Sequence, residues 1–168
     1  LNLSAVDASE MYITSEANCE TGGNWEAFDA EKEWTLTSFN QVAKVYAKFR
    51  DDSKNETDCI FDEILHDNQA PVDLSLKILG GDYTNVSIVN MELRASDAAY
   101  MYVTNVEGCA GGGSWESYNL SVNSWKLGQS QGEAKVYARV RDSLGNLSKC
   151  ISDTIIHDSI APANSGLM

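Results

Sequence analysis

Residues 43–71 read AKVYAKFRDDSKNETDCIFDEILHDNQAP and residues 134–162 read AKVYARVRDSLGNLSKCISDTIIHDSIAP, identical at sixteen of 29 positions with a constant offset of 91. Self-similarity at one spacing marks tandem copies of a folding unit. A residue kept in both copies is explained more economically by the fold of that unit than by a single active site. The repeat therefore points away from an enzyme and towards an array.

Working outward, the correspondence holds at an offset of 90 through Leu3/Leu93, Cys19/Cys109 and Trp25/Trp115, and at 91 from Trp34/Trp125 onward. One residue has been inserted between the two tryptophans, which fits a loop there. Backwards, Leu1 corresponds to Met91, so the stretch Pro71 to Asn90 has no counterpart in copy 1. This predicts that copy 1 lacks its first strand and exposes a strand edge and some core, which either a preceding segment of the full protein fills or another chain pairs with. The resulting boundaries are 1–71 for the first repeat, 72–162 for the second, and 163–168 for a tail or the start of a next segment. The opening at Leu1 reads as a processed product or a piece of something longer.

The apolar periodicity is two. Leu1, Leu3 and Ala5 alternate with polar residues, as do Met11 with Ile13, Trp34 with Leu36, and Val45 with Ala47 and Phe49. Copy 2 repeats this with Met91, Leu93 and Ala95, with Met101 and Val103, with Trp125 and Leu127, and with Val136, Ala138 and Val140. Alternation over short runs, separated by turn-rich stretches such as Ala110 to Ser114 and Asp142 to Asn146, predicts half-buried strands and no helix. Short antiparallel strands in units of about 90 residues predict an all-β chain of two tandem β-sandwich domains. The proline of each HDxxAP segment ends a strand and stiffens the junction, which predicts an extended arrangement.

The formal net charge is −13. Residues 1–71 hold five Lys/Arg against fifteen Asp/Glu, while residues 72–168 hold seven against ten. Such a field repels nucleic-acid phosphates and anionic lipid, so neither nucleic acid nor direct membrane insertion is expected. No apolar run approaches the roughly 20 residues of a membrane-spanning helix.

The four cysteines divide into Cys19 with Cys59 and Cys109 with Cys150, at separations of 40 and 41. Duplication of a bonded pair accounts for this, so the pairing within copies is expected among the three that four cysteines allow. An oxidising compartment follows: extracellular, at the cell surface, or periplasmic.

Taken together, several stretches resemble a known family: YTN, Met101-Tyr102-Val103-Thr104, Trp115 with Tyr118, AKVYARVRD, LGN, and ISDTIIHDSIAP. They are similar to the bacterial immunoglobulin-like repeats found in tandem in large surface proteins and adhesins. The resemblance covers all of copy 2 and all that exists of copy 1. Its specific part is the closing stretch VY-x4-D-x-x-G-N and D-x-I-x-x-D-x-x-A-P. It implies an immunoglobulin-like (fibronectin III-like) sandwich and a stalk, display or adhesive role. The implied partners are neighbouring repeats of the parent protein and a cell-surface protein or glycan, with no catalytic residues to carry over. The sequence departs from the pattern in Lys54 at the position of Gly145, in His66 and His157 in place of an apolar residue, and in the cysteine pairs.

Candidate chemistry is sparse. Asp51, Asn55, Asp142 and Asn146, with Asp67 and Asp158 near the domain junction, offer oxygen ligands to calcium. The competing and favoured explanation is hairpin-turn chemistry, because Lys54 brings a positive charge to the first turn and no full calcium-loop spacing is present. No other cofactor is expected. Asp62 and Asp153 fall on the inner face by simple alternation, so either a bulge turns each outward or backbone N–H groups satisfy it. Trp34 and Trp125 alternate with leucine and are assigned to the core. Trp25 and Trp115 follow Gly-rich turns, are expected to be exposed, and carry the alternative of a glycan- or protein-binding module. The two histidines are repeat-equivalent and no nucleophile and base converge on them, so the chain reads as non-catalytic.

Overall fold

A computed structural model describes residues 1–163 of the 168, so the tail predicted at 163–168 lies outside the described residues beyond Ala163. The chain is all-β and divides into two compact units, Leu1–Asn68 and Gln69–Met168. Its only helical pieces among the described residues are single 3₁₀ turns at Ala17–Cys19 and Glu107–Cys109.

Unit 1 contains β1 (Glu10–Thr14), β2 (Trp25–Ala27), β3 (Gln41–Arg50) and β4 (Ile60–His66), in one antiparallel sheet of order β2-β1-β3-β4. The alternation in β3 does what it predicts: Ala43, Val45, Ala47 and Phe49 are buried, while the residues between them face away from the core.

Unit 2 contains β5 (Val72–Ile78), β6 (Tyr83–Thr84), β7 (Ile88–Ser96), β8 (Tyr100–Thr104), β9 (Trp115–Ser117), β10 (Ser121–Lys126), β11 (Gly132–Arg141) and β12 (Ile151–His157). They form a three-stranded antiparallel sheet, β10-β7-β5, and a five-stranded sheet, β6-β12-β11-β8-β9, in which only the short β6–β12 pair is parallel. One cluster of thirteen buried side chains draws on both sheets, the arrangement of a β-sandwich. In β11, Ala134, Val136, Ala138 and Val140 are all fully buried. Bulges interrupt β5 between Val72 and Ser75 and β10 between Val122 and Trp125, with Asp73 and Ser124 at positive φ.

The stretch without a counterpart in copy 1 holds β5, β6 and the first three residues of β7. Its effect is clearest at the last strand of each unit. In unit 2, Ile155 of β12 is 1% exposed; in unit 1, the repeat-equivalent Ile64 of β4 is 59% exposed. The core cluster of unit 1 accordingly has five buried members.

The second layer of unit 1 is also thinner than the alternation predicts. Leu3, Ala5, Trp34 and Leu36 still pack on the core, yet their backbones make only an isolated bridge, Asn2 to Glu31, with Leu3 N–H donating to the Ala30 carbonyl at 2.8 Å. In unit 2 the corresponding strand β7 is central, held by β5 on one side and β10 on the other. Tyr118 adds a clasp there: its hydroxyl donates to the Leu93 carbonyl at 2.9 Å and accepts from Ala95 N–H at 3.0 Å. The equivalent residue in copy 1 is Phe28, which has no hydroxyl to offer.

Asp153 resolves as backbone satisfaction: its carboxylate accepts the Ile78 N–H of β5 at 2.7 Å. Asp62, with no β5 above it, is exposed and accepts the N–H of its own neighbour Glu63 at 2.9 Å.

Full burial of an isoleucine side chain stabilises by roughly 1.5–3 kcal/mol, and truncating one in a packed core costs about 2–5 kcal/mol. Ile155→Ala should therefore destabilise unit 2 by about 2–5 kcal/mol, whereas Ile64→Ala should change unit 1 by less than about 0.5 kcal/mol. Denaturant unfolding followed by amide exchange in each unit checks both values.

Candidate functional site

The residues that the two copies share outside the strand cores converge on three constructions. The first is the loop closed by the disulfide. Cys19 joins Cys59 and Cys109 joins Cys150, pairing within each copy. Both Cys19 and Cys109 sit at φ 55°, each one residue after another left-handed position, Asn18 or Gly108.

Two hydroxyl groups per unit fix this loop. Fully buried Thr14 donates through Oγ1 to the Thr21 carbonyl at 2.8 Å and accepts Glu16 N–H at 3.0 Å; Thr104 does the same with the Gly111 carbonyl at 2.7 Å and Val106 N–H at 3.0 Å. The Tyr12 hydroxyl accepts Gly23 N–H at 3.0 Å, and the Tyr102 hydroxyl accepts Gly113 N–H at the same distance. The approach is too close for any side chain, since a Cβ on Gly113 would lie 2.3 Å from the Val103 carbonyl oxygen and one on Gly23 would lie 2.4 Å from that of Ile13. These residues were not singled out from the sequence. The signal was present: tyrosine and glycine recur eleven residues apart in both copies.

The second construction involves the tryptophans. Trp25 and Trp115 are not free in the loops but open the edge strands β2 and β9, cross-strand from Tyr12 and Tyr102. Each is half-buried and is covered by the cations of the next strand but one. The Arg50 guanidinium lies 4.1 Å from the Trp25 ring centre, with Lys48 at 5.4 Å; Arg141 and Arg139 lie 4.6 and 5.6 Å from that of Trp115. Stacked guanidinium and indole stabilise one another.

The Arg50 guanidinium also bonds Glu10 at 2.6 Å, and Lys54 bonds the same carboxylate. Hydrogen bonds from Arg50 first, then Lys54, lower Glu10 from 4.5 to about 2. In unit 2, Tyr100 takes the place of Glu10 and stacks on Arg141 at 4.8 Å.

The third construction is the turn after the long strand. Asp142 is nearly fully buried. One oxygen accepts the N–H groups of Leu144 and Asn146 at 2.8 and 2.9 Å, and the other accepts the Asn146 side-chain amide at 2.7 Å. Burial works to raise its pKa, but the hydrogen bonds from Asn146, Leu144 and Gly145 outweigh it and hold the carboxyl below its ordinary value. Asp51 repeats the motif with Asn55, whose N–H and side-chain amide donate at 2.9 and 2.8 Å; the Asn55 amide is the leading cause of its lowered pKa. Lys54 adopts φ 69° where Gly145 adopts 95°.

Of the calcium candidates, these four are thus organised as turns. Within each unit the remaining acids stand at the opposite end of the sheet. Asp67 follows β4, whose His66 pairs with Gln41 at the start of β3, while Asp51 follows the end of β3. Asp158 likewise follows β12 at the Gly132 end of β11, and its carboxylate accepts Ile160 N–H at 3.0 Å. A ten-residue strand spans about 30 Å, so the turn pair and the linker aspartate of one unit do not share an ion.

Both histidines are structural in the same way. His66 Nδ1 bonds the Ser38 carbonyl at 2.7 Å and His157 Nδ1 bonds that of Gln129 at 3.1 Å, tying the last strand to the loop before the long one. In unit 2 a groove of about 460 Å³ lies beside Met101, Val103, Val122 and Trp125. The Trp125 indole N–H donates to Asn105 Oδ1 at 3.0 Å, whereas that of Trp34, with Ser15 at the equivalent of Asn105, is buried without a partner.

Comparison with models of known protein families and with curated proteins finds no match to this chain. The two disulfides fit an oxidising environment, and among the described residues no helix is long and apolar enough to cross a membrane.

Two expectations follow. Gly113→Ala should destabilise unit 2 by about 1–3 kcal/mol, while Gly111→Ala, whose Cβ would meet nothing within 4 Å, should stay within about 0.5 kcal/mol; thermal unfolding compares them. The depressed Glu10 stabilises the folded state fully above its unfolded pKa near 4.5, and that contribution is lost as pH falls through about 2. The melting temperature of wild type should therefore exceed that of Glu10→Gln above pH 4.5, and the gap should close as the pH approaches 2.

Proposed function

We propose that this chain is a pair of tandem immunoglobulin-like domains that serve as non-catalytic stalk or display modules of a bacterial surface protein, placed outside the cell or in the periplasm. The observation that carries this reading is where the repeat-shared chemistry goes. Tyrosine and threonine hydroxyls, turn aspartates, histidines and Trp-stacked arginines all have partners inside their own unit, in both copies. Residues used alike in two copies to hold a loop, a turn or an edge strand belong to a scaffold.

The strand order of unit 2 supports the immunoglobulin-like assignment. One sheet holds the first, third and sixth strands; the other holds the remainder, with the short second strand running parallel to the last. That division of strands between two sheets is of the kind expected for an immunoglobulin-like sandwich. The cysteines depart from it, since Cys109 follows the fourth strand and Cys150 directly precedes the last.

A stalk module under tension should resist force. Pulled from its ends, oxidised protein should show a discrete unfolding event for unit 2. Reduction should lengthen that event by about 140 Å, the reach of the roughly 40 residues that the Cys109–Cys150 bridge withholds. Extension without a force peak would overturn the display reading. A change in tryptophan fluorescence on adding glycans, lost in Trp25→Ala or Trp115→Ala, would replace it with the glycan-binding module.

A further inference from the structure

The inner face of β4 presents Ile60, Asp62 and Ile64 to solvent, next to the buried row of β3. Ile60 and Ile64 are both more than half exposed. An apolar row on the core side of a sheet is there to be covered, and unit 2 displays the cover. Over β12, the equivalent strand, lies β5, whose Leu74, Leu76 and Ile78 alternate inward and whose Ile78 N–H is accepted by Asp153. The short β6 then adds to the free edge of β12, opposite Ile156 and His157. Within residues 1–71, unit 1 holds the receiving half of this arrangement, including the carboxylate of Asp62.

We propose that the inner face and free edge of β4 form a docking site for an extended peptide segment, supplied from outside residues 1–168, that has the chemistry of Val72–Thr84. It carries apolar residues at alternate positions to cover Ile60 and Ile64, a backbone N–H to meet Asp62, and a glycine turn leading to a short edge strand. Residues 1–71 hold fifteen acidic against five basic residues, so the outward-facing positions of the occupant favour Lys or Arg, as at Lys77 of β5, over the acids that Val72–Thr84 carries at Asp73 and Asp82. A second copy is the weaker occupant. Edge pairing of β4 with β4 leaves the inner face uncovered, and the β5 of another molecule is already engaged in its own unit. The inference stands on the geometry of unit 1 and not on the display role, so either can fail without the other.

The test uses the full chain and a synthetic peptide of residues 72–84. Saturating peptide should slow amide exchange across β4 by about tenfold or more and leave β12 unchanged. The same peptide with Asp in place of the residues at 76 and 78 should have no effect, and Ile64→Asp in the chain should abolish the response. Because Ile64 is already exposed, that variant keeps its fold, and unaltered exchange in β3 verifies this. Three results would overturn the proposal. One is no slowing in β4. Another is slowing that appears without peptide as concentration rises and a dimer forms, which makes a second copy the occupant. The third is loss of protection in β12, which means the peptide only competes with β5.

Discussion

A sheet that buries one face needs a second layer over that face, and the two halves of this chain differ in whether the layer is complete. In unit 2, β5 lies across β12, the carboxylate of Asp153 receives its backbone, and Ile155 disappears from solvent. In residues 1–71 the segment equivalent to β7 pairs through the Asn2–Glu31 bridge, and Ile64, the isoleucine equivalent to Ile155, stands exposed. The coupling is physical: burial of Ile155 and satisfaction of Asp153 both depend on the strand that lies over β12.

What unit 1 retains is also informative. Its β1–β3 core, disulfide loop and Arg–Trp stack match those of unit 2 closely, because all of them lie within one sheet and its own connecting loop. Glu10 adds a charge-paired clamp on Arg50 and Lys54 where unit 2 relies on the aromatic face of Tyr100. Local construction therefore survives where the missing layer does not reach.

The legibility of the sequence follows the same division. The alternation of Val45, Ala47 and Phe49 and of Val136, Ala138 and Val140 gives β3 and β11 directly, since burial on one face is written into every second residue. Asp142 and Asn146 announce a turn because their bonds span only four residues. The partner of Asp153 could not be read, as Ile78 stands 75 residues away and the contact exists only through packing of one sheet on another. Alternation also misleads for Leu3, Ala5 and Leu36: their apolar period is that of strands, but backbone pairing needs a neighbour that the pattern of a single segment does not reveal. The Gly-rich turns before Trp25 and Trp115 predict exposed side chains, but the cross-strand tyrosines that draw both into the sheet lie more than ten residues upstream.

The two disulfides also make each unit partly circular. Between Cys109 and Cys150 the chain closes a covalent ring that contains β9, β10 and all of β11. A protease that clips the exposed loop at Ser130 would leave the two ends joined through sulfur and the central strand still seated in its core. The same ring between Cys19 and Cys59 holds β2 and β3. In a medium rich in hydrolases, a single nick inside either ring does not sever the polypeptide.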